Sequence, residues 1–200
     1  GNSEFVHVAH GLIRFEHGKM STRKGDTIKL EDVISEAIDR ARKIKDDAQI
    51  ATAVGIGAIK YFDLMHHPST DIVFNWEKIF VLEGNSAPYL QYTVARANSV
   101  LEKGRKSPPK GKITLNPEEL AVLRSLTRFS EIIVIAAKSY SPNLLCNYLF
   151  ELAQKYNNFY NQHRIVGGEN EELRLILTSG VRQVLKNGLA ILGIETPQRM

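Results

Sequence analysis

The sequence has 200 residues, 43% of them hydrophobic, and its 26 Lys and Arg against 22 Asp and Glu give a formal net charge of +4. This composition suits one large or two small folded domains and excludes a disordered chain, while the mild charge does not by itself identify a nucleic-acid partner. With no run of 18 apolar residues and a single cysteine, Cys146, the sequence predicts neither a membrane span nor an internal disulfide and favours a reducing cytoplasm.

Residues 1–82 are predicted to form a small α/β segment. Two short β-prone runs flank Gly11, and a third covers Thr27 to Leu30. A helix is expected from Glu31, and a second from Asp46 or Asp47 to about Met65. Residues 71–80 suggest a strand end that passes into a short helix, although periodicity alone leaves this open.

Residues 83–200 are predicted to form a bundle of about four helices. The first helix, which follows the break at residues 84–86, is predicted to have a solvent-exposed basic face with Tyr92, Arg96 and Lys103. Asn116 and the proline after it predict a helix start, with the helix continuing towards Tyr140. Further helices are expected from Pro142 and over the strong repeat from Leu173 to Leu192. The expected fold class is therefore mainly α, a C-terminal helical bundle preceded by a small α/β segment.

A glycine-bounded loop carries the clearest chemical pattern. Between Gly18 and Gly25 the sequence contains three cations (Lys19, Arg23 and Lys24) and two hydroxyl groups (Ser21 and Thr22). Cations and backbone N–H groups on such a loop suit a polyphosphate. From these residues alone, a solvated charged turn is the competing interpretation.

The order of these residues resembles a known family. Lys19-Met20-Ser21-Thr22-Arg23-Lys24-Gly25 is similar to the nucleotide-binding signature loop of class I aminoacyl-tRNA synthetases in its arginyl form. Three later segments resemble successive blocks of arginyl-tRNA synthetases: EGNSAPYLQY at 83–92, YLFELA at 148–153 and LGIETPQRM at 192–200. The resemblance covers essentially the whole chain, in order.

The resemblance implies activation of arginine by ATP, accompanied by Mg²⁺, and transfer of the arginyl group to arginine tRNA. In this family the signature loop closes over the triphosphate as pyrophosphate leaves. The catalytic candidates are Lys19, Ser21, Arg23 and Lys24, and the nucleotide-binding candidates are Lys19, Met20, Ser21, Thr22 and Gly25. The broader class has a second lysine where this chain has Thr22, so Arg23, Lys24 or a lysine outside the chain is expected to compensate.

The helical part is expected to bind tRNA near the anticodon. Unpaired bases are held by aromatic stacking while cations hold their phosphates. By the resemblance, Tyr160 and Met200 are the first candidates, and the helical neighbours Asn157, Asn161 and Arg164 supplement them. Arg96, Tyr92 and Lys103 are candidates for the tRNA backbone. A half-buried core role for Tyr160 and an ordinary solvated face around Arg96 remain open alternatives.

The histidine motif of the class is missing, so the chain resembles the C-terminal part of a longer enzyme and is expected not to aminoacylate alone or to bind ATP and Mg²⁺ tightly. We predict that the protein is a monomer, lies in the cytoplasm, does not bind a membrane and holds no resident metal ion. A freestanding synthetase-like tRNA-binding or regulatory protein without catalysis is the main alternative, and a helical protein-interaction module is the third. Cys146 and Trp76 are expected in the core, Gly55 and Gly57 at a close helix contact, and His66-His67 in a loop.

Overall fold

The first part of the chain combines a small parallel sheet with three helices. The computed structural model describes residues 5–15, 29–104 and 114–200. Within these ranges the first elements are β1 (Ile13–Phe15), α1 (Leu30–Ile44), α2 (Ala48–Leu64), β2 (Ile72–Phe74) and α3 (Trp76–Ile79). The strands pair in parallel with Ile13 opposite Ile72 and Phe15 opposite Phe74. The open question about residues 71–80 thus resolves into a strand followed by a helical turn.

The second part of the chain is a helical bundle, as predicted. Its helices in the described residues are α4 (Ala87–Lys103), α5 (Pro117–Thr127), α6 (Phe129–Lys138), α7 (Pro142–Gln162) and α8 (Glu171–Ile191). Across the part of the chain that the structure describes, no helix is both long and apolar enough to span a bilayer.

Polar side chains cap the starts of four helices: Asn75 at α3, Asp47 at α2, Ser86 at α4 and Asn116 at α5. At the start of α2, the Asp47 side chain accepts a hydrogen bond from the Ile50 N–H at 2.9 Å. At the start of α4, the Ser86 hydroxyl accepts one from the Tyr89 N–H at 3.3 Å. At α5, Asn116 and Glu119 each accept the other's backbone N–H, which completes a capping box. Because these caps use residues adjacent to the helix, the starts of α2 and α5 could be predicted from the sequence.

The β-prone start was partly misjudged. Residues 5–12 form no strand, and only residues 13–15 pair with another strand. Leu30, predicted as the end of a third β-prone run, is the first residue of α1, while residues 27 and 28 lie outside the described ranges. The acids that follow Leu30 favour a helix start and prevail over its local β preference.

The single helix predicted from Pro117 towards Tyr140 is wrong, because Arg128 separates α5 from α6. The Arg128 N–H donates to the Ser125 carbonyl, three residues back, instead of continuing the α-helical pattern. That carbonyl also accepts the buried Tyr148 hydroxyl of α7 at 3.0 Å. In the described residues the bundle therefore has five helices instead of about four, and a residue of another helix contacts the carbonyl at the break.

Helices α1 and α2 approach closely at Gly55. A Cβ atom at this position would lie 2.8 Å from the Ile38 backbone nitrogen, so only glycine fits without displacing α1. The close helix contact expected at this glycine is therefore confirmed. The nearby buried cluster of Ala41, Ala51 and Val54 also packs against Met200 at the far end of the chain.

Helix α7 supplies the centre of the main core. Leu145, Cys146, Leu149, Leu152 and Phe159 are buried along it and pack against α4 and α8. Tyr61 of α2 joins the same core, where its hydroxyl donates to Asn85 Oδ1 and to the Cys146 carbonyl. Through Tyr61, α2 shares its core with the bundle. The domain boundary between residues 82 and 83 stays a prediction.

The Cys146 thiol is fully buried, and this burial raises its pKa to about 12. The reactive thiolate is therefore scarce at neutral pH. We expect no labelling of the folded chain by a thiol reagent such as iodoacetamide at pH 8, and one label per chain in denaturant. Labelling at equal rates in both conditions, followed by mass spectrometry, would contradict the core position.

Candidate nucleic-acid interface

A groove opens between α4, the end of α7 and the last residues of the chain. It has a volume of about 730 Å³. We call it the basic groove, and the residues that line it are Tyr92, Ala95, Arg96, Ser99, Val100, Lys103, Tyr160, Asn161, His163, Arg164, Ile165, Val166, Arg199 and Met200. Among these described lining residues none is acidic, whereas five are Arg, Lys or His. The groove therefore suits an anionic ligand.

Arg96 lies between two tyrosines at the centre of the groove. Its guanidinium carbon is 5.0 Å from the ring centre of Tyr92 and 4.8 Å from that of Tyr160. Both rings remain partly open to solvent, with exposures of 44% and 37%. Tyr156 lies beneath Tyr160, and burial raises the pKa of its hydroxyl to about 12. The arrangement offers aromatic faces beside a fixed cation, which suits an unpaired base and its phosphate.

Asn157 holds the Arg96 side chain in place. Its Oδ1 accepts from Arg96 Nη1 at 2.6 Å, and its Nδ2 donates to Tyr89 Oη at 2.9 Å and Thr93 Oγ1 at 3.0 Å. Asn157 is only 8% exposed. Its side chain is therefore engaged within the protein and positions Arg96.

A second cavity, of about 670 Å³, adjoins the basic groove at Tyr92 and Arg96. Ile44 and Leu82 from the first part of the chain, and Glu83 at the start of the second, also line it. Met200 and Asn161 border both cavities. The two cavities together form a continuous surface that is basic at one end and more apolar at the other.

The loop between α7 and α8 forms one wall of the basic groove. His163, the C-cap of α7, packs its ring on Phe159 and lies 3.2 Å from Glu118 Oε2. The next residue, Arg164, is exposed, and its Nε donates to the Val166 carbonyl at 3.1 Å. An imidazole and a guanidinium group on this wall thus follow directly after the helix.

The end of the chain forms the opposite wall because polar side chains hold it on α4. Gln91 Nε2 donates to the Glu195 carbonyl at 2.7 Å, and Asn98 Nδ2 donates to the Gln198 carbonyl at 3.0 Å. Arg199 pairs with Glu102 at 3.1 Å on the surface. These contacts bring Met200 to the groove.

Seven of the eight residues predicted to contact tRNA line the basic groove: Tyr92, Arg96, Lys103, Tyr160, Asn161, Arg164 and Met200. The eighth, Asn157, lines only the second cavity. The sequence interpretation did not single out His163, although it follows Tyr160 at helical spacing, or Arg199, although it lies in the matched ending. The signature-loop candidates Lys19, Met20, Ser21, Thr22, Arg23, Lys24 and Gly25 lie outside the described residues.

The histidine pair at residues 66 and 67 has local partners. His66 Nδ1 lies 2.7 Å from the Phe62 carbonyl, and His67 Nδ1 lies 2.9 Å from Ser69 Oγ. In the ranges that the structure describes, no group of three or more His, Cys, Asp or Glu side chains is placed to hold a metal ion.

Two family models match the sequence. The model of the DALR anticodon binding domain matches residues 90–200, which include every residue that lines the basic groove. The model of the catalytic domain of class I (R) tRNA synthetases matches residues 2–76, which include the charged glycine-bounded loop.

Similar proteins cover nearly all of this chain. The arginine–tRNA ligase of Fusobacterium nucleatum is 38% identical over 100% of this chain and 38% of that protein. The arginine–tRNA ligase of Clostridium beijerinckii is 34% identical over 98% of this chain and 37% of that protein. The structure of Thermus thermophilus arginyl-tRNA synthetase superposes with a TM-score of 0.87 at 31% identity, over 97% of this chain and 35% of that one. The chain thus spans little more than a third of these relatives.

Replacement of Asn157 should destabilise the fold. Asn157→Ala removes the partner of three polar groups, Arg96, Tyr89 and Thr93, and we expect a loss of about 1–3 kcal/mol in the free energy of unfolding. Asn158→Ala, at the next, exposed position of α7, is the matched control with an expected change below about 0.5 kcal/mol. Equal losses in urea unfolding would contradict this role of Asn157.

The Glu118–His163 contact should make stability depend on pH. A hydrogen bond from its own backbone N–H, and then one from His163, hold the pKa of the Glu118 carboxyl below its usual range. A lowered folded pKa means that the stabilisation is present at neutral pH and disappears as the pH falls through that folded pKa. Glu118→Gln should therefore be less stable than the unaltered chain at pH 7 but similar at pH 2.

Urea unfolding at both pH values measures this difference, and Glu131→Gln on the exposed side of α6 is the control. If the loss of unfolding free energy in Glu118→Gln were as large at pH 2 as at pH 7, the charge of the Glu118 carboxylate would not be the source of the stabilisation.

Proposed function

Because this chain belongs to the arginyl-tRNA synthetase family, we propose that its basic groove binds the anticodon loop of arginine tRNA. The family model for a DALR anticodon binding domain, which matches residues 90–200, supports this proposal. Since the chain spans 35–38% of its relatives, ligation of arginine to tRNA with ATP is proposed for the whole protein.

The observation that carries the proposal is the chemistry of the groove. Bases in an anticodon loop are unstacked, so a protein binds them by stacking and by contacts to their edges. Tyr92 and Tyr160 offer partly exposed rings, with Arg96 fixed between them. Arg164, Lys103 and Arg199 supply positive charge for the adjacent phosphates. A solvated helix face would not need a buried asparagine to hold its central cation.

The roles proposed for the signature loop rest on the family resemblance and on its charge. Lys19 and Arg23 would neutralise the triphosphate, and Ser21 would donate a hydrogen bond to it. Arg23, Lys24 or a lysine outside the chain would take the place of the missing second lysine. Met20, Thr22 and Gly25 complete the proposed nucleotide-binding loop. In the whole protein, Mg²⁺ would accompany the ATP and help to neutralise its phosphates. The match of residues 2–76 to a class I catalytic domain supports this assignment.

The remaining parts of the proposal concern partners and location. The whole protein would use arginine, ATP and arginine tRNA, and we propose that it acts as a monomer in the cytoplasm, where tRNA is charged. A ligase that takes these substrates needs no membrane.

The proposal predicts selective, salt-dependent binding of arginine tRNA by the chain. Tyr160→Ala should weaken binding of arginine tRNA by about 5- to 150-fold, since stacking of one base contributes about 1–3 kcal/mol. The same change should have little effect on a tRNA whose anticodon has been replaced. Arg164→Ala should weaken binding of both tRNAs and lower the slope of log K against log salt by about one.

Fluorescence anisotropy with labelled transcripts at several salt concentrations measures both quantities. Lys138→Ala, at an exposed position of α6 outside the groove lining, is the matched charge control and should leave the affinity within about twofold of the unaltered chain. Equal affinity of the unaltered chain for both tRNAs would contradict anticodon binding.

A further inference from the structure

A buried ion pair lies beneath the loop that forms one wall of the basic groove. Arg174 Nε of α8 donates to Glu119 Oε1 of α5 at 2.8 Å, and the two side chains are 10% and 1% exposed. Removal of two charges from water is costly, and apolar residues of similar volume often stabilise a fold equally well. Stability alone therefore does not account for this pair.

Both members of the pair also hold backbone groups near the groove. Arg174 Nη1 donates to the Arg164 carbonyl at 2.7 Å. Glu119 Oε2 accepts from the Asn116 N–H at 3.0 Å, and Asn116 Nδ2 lies 3.4 Å from His163 Nε2. The pair thus connects α5 and α8 to His163 and Arg164, two consecutive residues of the groove wall.

The loop backbone is constrained further by its glycines. A Cβ atom at Gly168 would lie 2.1 Å from the Arg164 carbonyl oxygen, and Gly167 has a φ of +67°. The Gly167 N–H donates to Glu171 Oε2 at 2.8 Å. Among the described residues that line the basic groove, neither Glu119 nor Arg174 is found, so a bound RNA would not touch the pair.

We propose that Glu119 and Arg174 are positioning residues for RNA binding. Their ion pair fixes the Arg164 carbonyl, and thereby directs the Arg164 side chain towards the RNA phosphates, while the His163 ring stays against Glu118. This inference rests on the proposed function of the groove.

Arg174→Lys tests the inference, because an ammonium group lacks the planar fork that reaches the Glu119 carboxylate and the Arg164 carbonyl together. We expect the Kd for arginine tRNA to rise by about 5- to 20-fold at a temperature where the variant is folded. Glu119→Gln keeps the shape of the side chain but removes its charge, and should raise the Kd less. It carries the test if Arg174→Lys does not fold.

Two controls separate positioning from general destabilisation. Val181→Ala truncates a fully buried residue of the same helix, away from the loop, and should leave the Kd unchanged although it lowers the melting temperature. In an Arg164→Ala background, Arg174→Lys should have less effect than in the unaltered chain, because the group that it positions is gone.

Additive effects of Arg164→Ala and Arg174→Lys, or an equal rise in Kd for Val181→Ala, would overturn the inference. An unchanged Kd in folded Arg174→Lys, with selective binding by the unaltered chain, would overturn the positioning role alone. Absence of selective binding by the unaltered chain would overturn the proposed function as well.

Discussion

The buried amide of Gln91 determines how the two parts of the molecule meet. This side chain of α4 is fully buried, and its Nε2 donates both to the Ala53 carbonyl of α2 and to the Glu195 carbonyl near the chain end. A buried amide without partners would cost about 1–3 kcal/mol. The two hydrogen bonds thus hold α2, α4 and the last residues together and, with the contact of Asn98 to Gln198, place Met200 at the groove.

The basic groove depends on polar groups that a bound RNA would not touch. Asn157 accepts a hydrogen bond from Arg96, and Arg174, which is paired with Glu119, donates to the Arg164 carbonyl. Side chains that are already ordered lose less conformational entropy when a ligand binds. The groove thus presents two of its cations, Arg96 and Arg164, in defined positions.

The small parallel sheet leaves apolar side chains open to solvent. Leu12, next to β1, and Val73 of β2 are 54% and 52% exposed. Parallel sheets are usually covered on both faces. This exposure agrees with the match of residues 2–76 to part of a catalytic domain and with relatives that are nearly three times as long.

The sequence by itself determined the helical class, the helix starts at Asp47 and Asn116, and the family blocks, because caps, spacing and motif order depend on residues close together in the chain. It also named seven of the residues that line the basic groove, Tyr160 and Met200 through the resemblance and the others from helical spacing. Only the tertiary structure decided the break at Arg128, where the Ser125 carbonyl accepts a hydroxyl 23 residues away, and the role of Asn157, whose partner Arg96 is 61 residues away. Contacts over such separations leave no local pattern, since they arise when distant helices pack and their buried polar groups find partners.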